Sequence, residues 1–156
     1  MFKKILPEDL YLSVLRSYKP SEEDLWRGKV APERPGRYLS GNEVIDAAVD
    51  LLHRHRHQTC DFYAARLGIP LRDLNGFYRV MTGMNFEVWR DRYLVLMAKE
   101  LLEKTKMSSS EIGTWMNFPA VNGFARWFRR LAGRQPIEWR RGWRGNDPRA
   151  KYHIDD

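Results

Sequence analysis

The 156-residue chain has one cysteine, Cys60. A single thiol excludes a disulfide framework within the chain and fits a reducing compartment. No apolar run approaches the roughly 18 residues needed to cross a bilayer. The N-terminal stretch MFKKILPEDLYL has neither a long apolar core nor a small-residue cleavage site, so no secretory signal is read there and a cytoplasmic location is expected. Also missing are a glycine loop that cradles phosphates, a nucleophile elbow and a second cysteine-histidine cluster. The adjacent carboxylates Glu22-Glu23 and Asp155-Asp156 fall in loop or tail composition and read as solvated charge. These absences point away from an enzyme, and no catalytic residue or cofactor is expected. His53, His55 and His57 form HRHRH just before Cys60. Imidazole and thiolate suit zinc, but His55 falls on the opposite helix face from the other two and no second ligand pair follows. The run reads as a solvated or phosphate-facing helix end, with no metal ligand assigned.

What is present is apolar and basic. Hydrophobic residues make up 43% and aromatics 13%, enough for a real core. The net charge is +7 and the isoelectric point about 9.7, which suggests a polyanionic partner, nucleic acid being the commonest. The charge is uneven: net +1 over residues 1–43, +2 over 44–106 and +4 over 107–156. Within the last third, NGFARWFRRLAGRQPIEWRRGWRG interleaves aromatics with seven arginines and a single glutamate.

Residues 7–18, PEDLYLSVLRSY, read as a short helix. Pro7 suits the first turn, Glu8 and Asp9 its positive end, and Tyr11, Val14, Leu15 and Tyr18 share one face. Residues 19–41, with Pro20, Gly28, Pro32, Pro35, Gly36 and Gly41, read as a linker. Beyond Asn42 helical periodicity is dense and no strand pattern competes. Helices are predicted over about 43–56 with Val44, Ala48, Leu51 and Leu52 inward, over 60–67, and over 71–82 with Leu74, Phe77, Tyr78 and Met81 inward. Gly83 is placed to end the third of these. A long helix over 86–105 carries the stripe Phe86, Trp89, Tyr93, Leu96, Met97 and Leu101. Ser108 with Glu111 reads as a capping box for a helix to Asn117, Gly133 stops a helix over 120–132, and Pro136 opens a last short one through Trp139.

The chain also repeats itself. At a shift of 50, Leu74 meets Phe124, Tyr78 meets Phe128, Arg79 meets Arg129, Gly83 meets Gly133, and Trp89-Arg90 meets Trp139-Arg140. At a shift of 49, Ala64 meets Gly113, Leu67 meets Met116, Ile69 meets Phe118 and Pro70 meets Pro119. The change of one residue falls in the turn between paired helices. Two copies of a helix-turn-helix unit are implied.

Glu111-Ile112-Gly113, Phe118, Phe124, Phe128-Arg129, Gly133, Pro136 and Trp139-Arg140 resemble the motif of the tandem helix-turn-helix DNA-binding domain of AraC/XylS-type transcriptional regulators. In the first copy Leu74, Tyr78-Arg79, Thr82-Gly83 and Ala98 to Leu102 fit as well. The resemblance covers about residues 43–142. It implies an all-α fold of seven helices, in two helix-turn-helix bundles joined by a long linker helix. Residues 1–42 would be an N-terminal extension too short for a ligand-binding domain, and residues 143–156 a tail. It further implies a sequence-specific, nucleoid-associated regulator whose partner is double-stranded DNA, with RNA polymerase or another regulator as the protein it would meet. Helices 71–82 and 120–132 would enter successive major-groove segments roughly 34 Å apart.

On that resemblance Arg126 and Asn122, with Arg72 and Asn75, are the candidate base readers, and Arg79, Arg90, Arg129, Arg130, Arg140 and Arg141 the candidate phosphate contacts. Several positions depart from the family pattern. Asn117 stands where a glycine is usual and would have to accept a left-handed backbone. Pro70 and Pro119 stand where each recognition helix usually has a Ser or Thr cap. Gly76 aligns with Arg126 and leaves that position of the first reading head without its arginine, beside an unhelpful Asp73, so that Arg72, Asn75 and Arg79 remain to do its work. A second reading follows from that gap: a protein-interaction module, an adaptor or antagonist of a larger regulator, with a degenerate first head and residues 1–42 as its active surface. The helix at 7–18 would either dock on the first bundle, the favoured reading, or bind a partner or a second copy. The tryptophans and phenylalanines recur at helical spacing and read as core rather than as platforms for unpaired bases.

Overall fold

A computed structural model describes residues 3–17 and 40–146. Tyr18, most of the expected linker and the tail from residue 147 lie outside the described residues. Every element among the described residues is helical: α1 Pro7–Leu10, α2 Val14–Ser17, α3 Glu43–His55, α4 Cys60–Leu67, α5 Leu71–Thr82, α6 Phe86–Lys104, α7 Ser109–Trp115, α8 Val121–Ala132 and α9 Pro136–Asn146. The chain divides into two compact units, residues 1–94 and 95–156, and the boundary falls inside α6.

In the first unit α3 begins at Asn42, whose side-chain oxygen accepts from the Val44 and Ile45 amides at 3.0 and 3.2 Å. Its buried stripe is Ile45, Ala48, Val49 and Leu52, so Val44 and Leu51, read as inward, are only half-buried. The helix is turned a little from the expected phase. α4 starts at Thr59, whose hydroxyl accepts from Phe62 N. α5 buries Leu74, Tyr78 and Thr82 and ends at Gly83 in the left-handed region, φ 84°. Around Tyr78, the rings of Phe86 and Trp89 pack edge-on at 5.1 and 5.5 Å.

The expected helix over 7–18 is broken. Tyr11 takes an extended backbone after α1, and the buried residues Leu10, Leu12 and Val14 alternate with a period of two. The Tyr93 hydroxyl sits at the break, accepting from Leu12 N at 3.2 Å and donating to Leu10 O at 3.3 Å. It replaces partners that a continuous helix would have found within itself. Leu15, read as inward, is 38% exposed. Of the two fates open to the extension, residues 3–15 dock: Ile5 N donates to Met81 O, Trp89 Nε1 donates to Ile5 O, and Arg92 pairs with Glu8 at 2.6 Å.

The second unit repeats the plan. Ser108 and Glu111 form the expected capping box at the start of α7. The turn after α4 is closed by Gly68 N donating to Ala65 O and Ile69 N to Ala64 O; the turn after α7 by Asn117 N donating to Thr114 O and Phe118 N to Gly113 O. These are the same bonds displaced by 49 residues. Gly68 and Asn117 both adopt positive φ, 70° and 73°, so asparagine does take the glycine's role. Gly113 lets α7 approach α8, since a Cβ there would lie 3.1 Å from Phe124 Cβ. Phe124 and Phe128 are fully buried and Trp127 nearly so, with ring centroids of neighbouring pairs 5.1–6.1 Å apart across Phe118, Phe124, Trp127 and Phe128. α9 runs on past Trp139 to Asn146, beyond the expected end.

Candidate nucleic-acid interface

The inner face of α8 is set by Phe124, Trp127 and Phe128, so helical geometry turns Asn122, Arg126, Arg129 and Arg130 to the outside. All four are exposed. Asn122, Ala125, Arg126 and Arg129, with Gln135 from the following turn, line an open concavity of about 460 Å³. Gln135 is a lining residue that sequence reasoning missed. Its only signal is its place between Gly133 and Pro136, in a turn that the repeat assigns to the ends of two helices. Neither recognition helix has a side-chain cap: Pro70 stands at the start of α5 and Ala120 at the start of α8, with Pro119 one residue further out.

The outer face of α5 is poorer. Arg72 and Arg79 are exposed, but Arg72 has Asp73 3.9 Å away, and a side chain at Gly76 would meet open space. Position 80, which the repeat matches to Arg130, holds Val80, 64% exposed. The expected face is there, stripped of two arginines.

Three of the ten expected contacts point inward. Arg90 is 7% exposed; it pairs with Asp91 at 2.8 Å and donates to Gln58 O at 2.8 Å. Arg140 is half-buried and donates to the Leu102, Thr105 and Met107 carbonyls. Gln58 and Met107 each precede the capping residue of the first helix of their motif. The arginine after each tryptophan therefore ties the last helix of the motif back to its beginning, once per unit. Asn75, expected to read bases, instead accepts from Phe86 N at 3.0 Å and holds the start of α6. In each case the side chain serves a part-buried backbone group. Arg141 is exposed on α9. Beside it, Trp139 donates to Glu103 at 3.0 Å, with the Lys99 ammonium 4.5 Å over its ring.

The histidine run is absorbed into the first unit. His53 is buried with Nε2 2.8 Å from the Tyr93 hydroxyl, and the His55 ring packs edge-on against Phe62. Burial, together with Arg66, Arg54 and Arg56, holds the His55 pKa below its ordinary 6.5. Burial raises the Cys60 thiol, against the lowering effect of Arg90. Among the described residues no group of three or more His, Cys, Asp or Glu could hold a metal, and no helix is long and apolar enough to cross a membrane.

A family described as "Helix-turn-helix domain" matches residues 63–142, just over half of the chain. The chain belongs to the AraC/XylS-type helix-turn-helix family. Three solved structures show the likeness. The DNA-binding domain of AdpA, a global transcriptional factor crystallised with a target DNA, is 28% identical, with TM-score 0.58 over 68% of this chain and 94% of that one. The C-terminal domain of AraT, a response regulator from Geobacillus stearothermophilus, is 20% identical, with TM-score 0.59 over 67% and 88%. An AraC-type transcriptional regulator from Chromobacterium violaceum is 22% identical, with TM-score 0.54 over 65% and 90%. No curated protein matches the chain. As a member of the AraC family, it contains an AraC-type DNA-binding transcription-factor domain, and the all-helical fold agrees with that.

Proposed function

We propose that this protein binds double-stranded DNA sequence-specifically and regulates transcription, with α8 as its principal reading head. The observation that carries this is the arginine- and asparagine-lined concavity on the outer face of α8, opposite the buried aromatics. Arg126 sits mid-face, where a guanidinium can pair bidentately with guanine O6 and N7; Asn122 sits one turn nearer the helix start and suits adenine. Arg129, Arg130 and Arg141 fall toward phosphates, and these contacts orient without specifying. α5 enters the adjoining major-groove segment as a weaker head through Arg72 and Arg79. The AdpA domain, solved on its target DNA, supports double-stranded DNA as the ligand.

The test is selection from a random duplex library at about 150 mM salt, where non-specific binding is already weakened. Wild type is expected to enrich a motif that Arg126→Ala loses or blurs, and Gly76→Arg, whose new side chain enters open space, is expected to lengthen or strengthen it. A wild-type protein that enriches nothing overturns the proposal.

A further inference from the structure

The two halves of the repeat use one position in two ways. At a shift of 50, Gln135 matches Asn85. Each stands just before a helix and accepts its first backbone bond: Trp89 N donates to Asn85 O at 3.1 Å, and Trp139 N to Gln135 O at 2.9 Å. Asn85 also caps α6 with its side chain, whose Oδ1 accepts from Val88 N at 2.9 Å. In the second unit Glu138 stands where Val88 does, and its carboxylate reaches back to accept from Gln135 N at 3.2 Å. The Gln135 carboxamide is left out of the cap and makes no hydrogen bond among the described residues. Asparagine ranks among the preferred capping residues and glutamine does not.

The longer side chain goes to the concavity instead. It forms the wall facing Asn122, Arg126 and Arg129, and it is half-buried there. Its backbone is pinned from both sides. Gly133 closes α8 at φ 82° with its N–H on Arg129 O, and the bonds to Glu138 and Trp139 hold the start of α9. A donor on so fixed a backbone needs little further ordering when a ligand arrives. Base edges are met by the first turns of a recognition helix, whereas Gln135 lies beyond the glycine that ends α8. That is the side of the groove, where the sugar–phosphate strand runs. A carboxamide N–H is a suitable donor to a phosphate oxygen.

We propose that the concavity seats one sugar–phosphate strand of the duplex, with Gln135 donating from its carboxamide to a phosphate that Arg129 neutralises. This rests on the proposed function and adds to it a positioning contact from outside the recognition helix.

The experiment measures duplex affinity against salt, on the motif enriched by wild type, for Gln135→Asn and Gln135→Glu. Thermal unfolding is measured alongside, and library selection is repeated with Gln135→Asn. Gln135→Asn recreates the arrangement at Asn85, so it is expected to melt no lower than wild type. It withdraws the donor from the concavity, and affinity is expected to fall roughly ten-fold, as for a hydrogen bond to a charged group. The enriched motif and the salt slope are expected to stay, because a neutral donor displaces no counterion. Gln135→Glu keeps the length and turns a carboxylate to the phosphate, so it is expected to weaken binding further. A residue that serves only the fold would change melting and leave affinity alone; that result overturns the inference. So does an altered motif with Gln135→Asn, which would make Gln135 a base reader. If wild type binds no duplex at all, the proposed function and this inference fall together. If wild type binds, Arg126→Ala abolishes binding and both Gln135 variants bind like wild type, only the inference fails.

Discussion

Arg90 and Arg126 have the same charge and opposite fates. Each lies on a helix in a basic chain, and each follows or precedes an aromatic. Arg126 has apolar neighbours that claim the inner face, so it points out. Arg90 lies on α6, where Phe86, Trp89, Tyr93 and Leu94 are all fully buried. Glu87 and Val88 take the exposed side of that helix; Arg90 falls in its buried sector, and the guanidinium turns to Asp91 and Gln58. Arg90→Met is therefore expected to act on stability, at a cost of about 3 kcal/mol for breaking a buried ion pair. Urea denaturation checks the cost. Arg129→Ala is the contrast, leaving the unfolding midpoint near wild type while reducing the salt slope of DNA binding.

At the scale of the element, caps and turns were the most legible features, because they are local chemistry. Ser108 and Glu111 close a capping box through Ser108 N to Glu111 Oε1 and Glu111 N to Ser108 Oγ, both at 3.0 Å. Ser108→Ala is expected to cost about 1 kcal/mol near neutral pH. The Ser108 backbone and hydroxyl bonds hold the Glu111 carboxyl below its ordinary pKa. Its folded pKa lies below its unfolded one, so its contribution is present above pH 4.5 and is lost as pH falls through the folded value. Denaturation curves from pH 7 to pH 3 should show an acid loss of stability that Glu111→Gln reduces. His55 acts in a neighbouring window. Its folded pKa is also depressed, but protonation adds charge to a histidine, so the fold weakens as pH drops below 6.5 toward the folded value. The element read wrongly was 7–18. Tyr11, Val14, Leu15 and Tyr18 do satisfy a helical period, yet Leu10, Leu12 and Val14 satisfy a period of two just as well. A stretch that short cannot choose between them, and the Tyr93 hydroxyl, 81 residues on from Leu12, settles it.

At the scale of the whole molecule, the net charge of +7 is a crude measure of phosphate contacts, since much of it is engaged internally. With Arg90 and Arg140 turned inward, the cations assigned to phosphates are Arg79, Arg129, Arg130 and Arg141. Four such contacts predict a slope of about −3.6 in log affinity against log salt. Titration of the selected duplex between about 50 and 300 mM salt tests this; a slope of about −5.4 would instead return Arg90 and Arg140 to the DNA surface.

The all-helical class, the two-fold repeat and the family were determined by the sequence alone. They rest on signals confined to a few neighbouring residues: the capping pair of the second unit and, written twice, residues that take a left-handed turn and aromatics recurring at helical spacing. Tertiary structure alone decided which polar side chains serve the surface. Asn75, Arg90 and Arg140 turn inward because backbone groups at Phe86, Gln58 and Met107, 11, 32 and 33 residues away in the chain, come to lie beside them as hydrogen-bond partners. No local pattern can record where a distant backbone will finish.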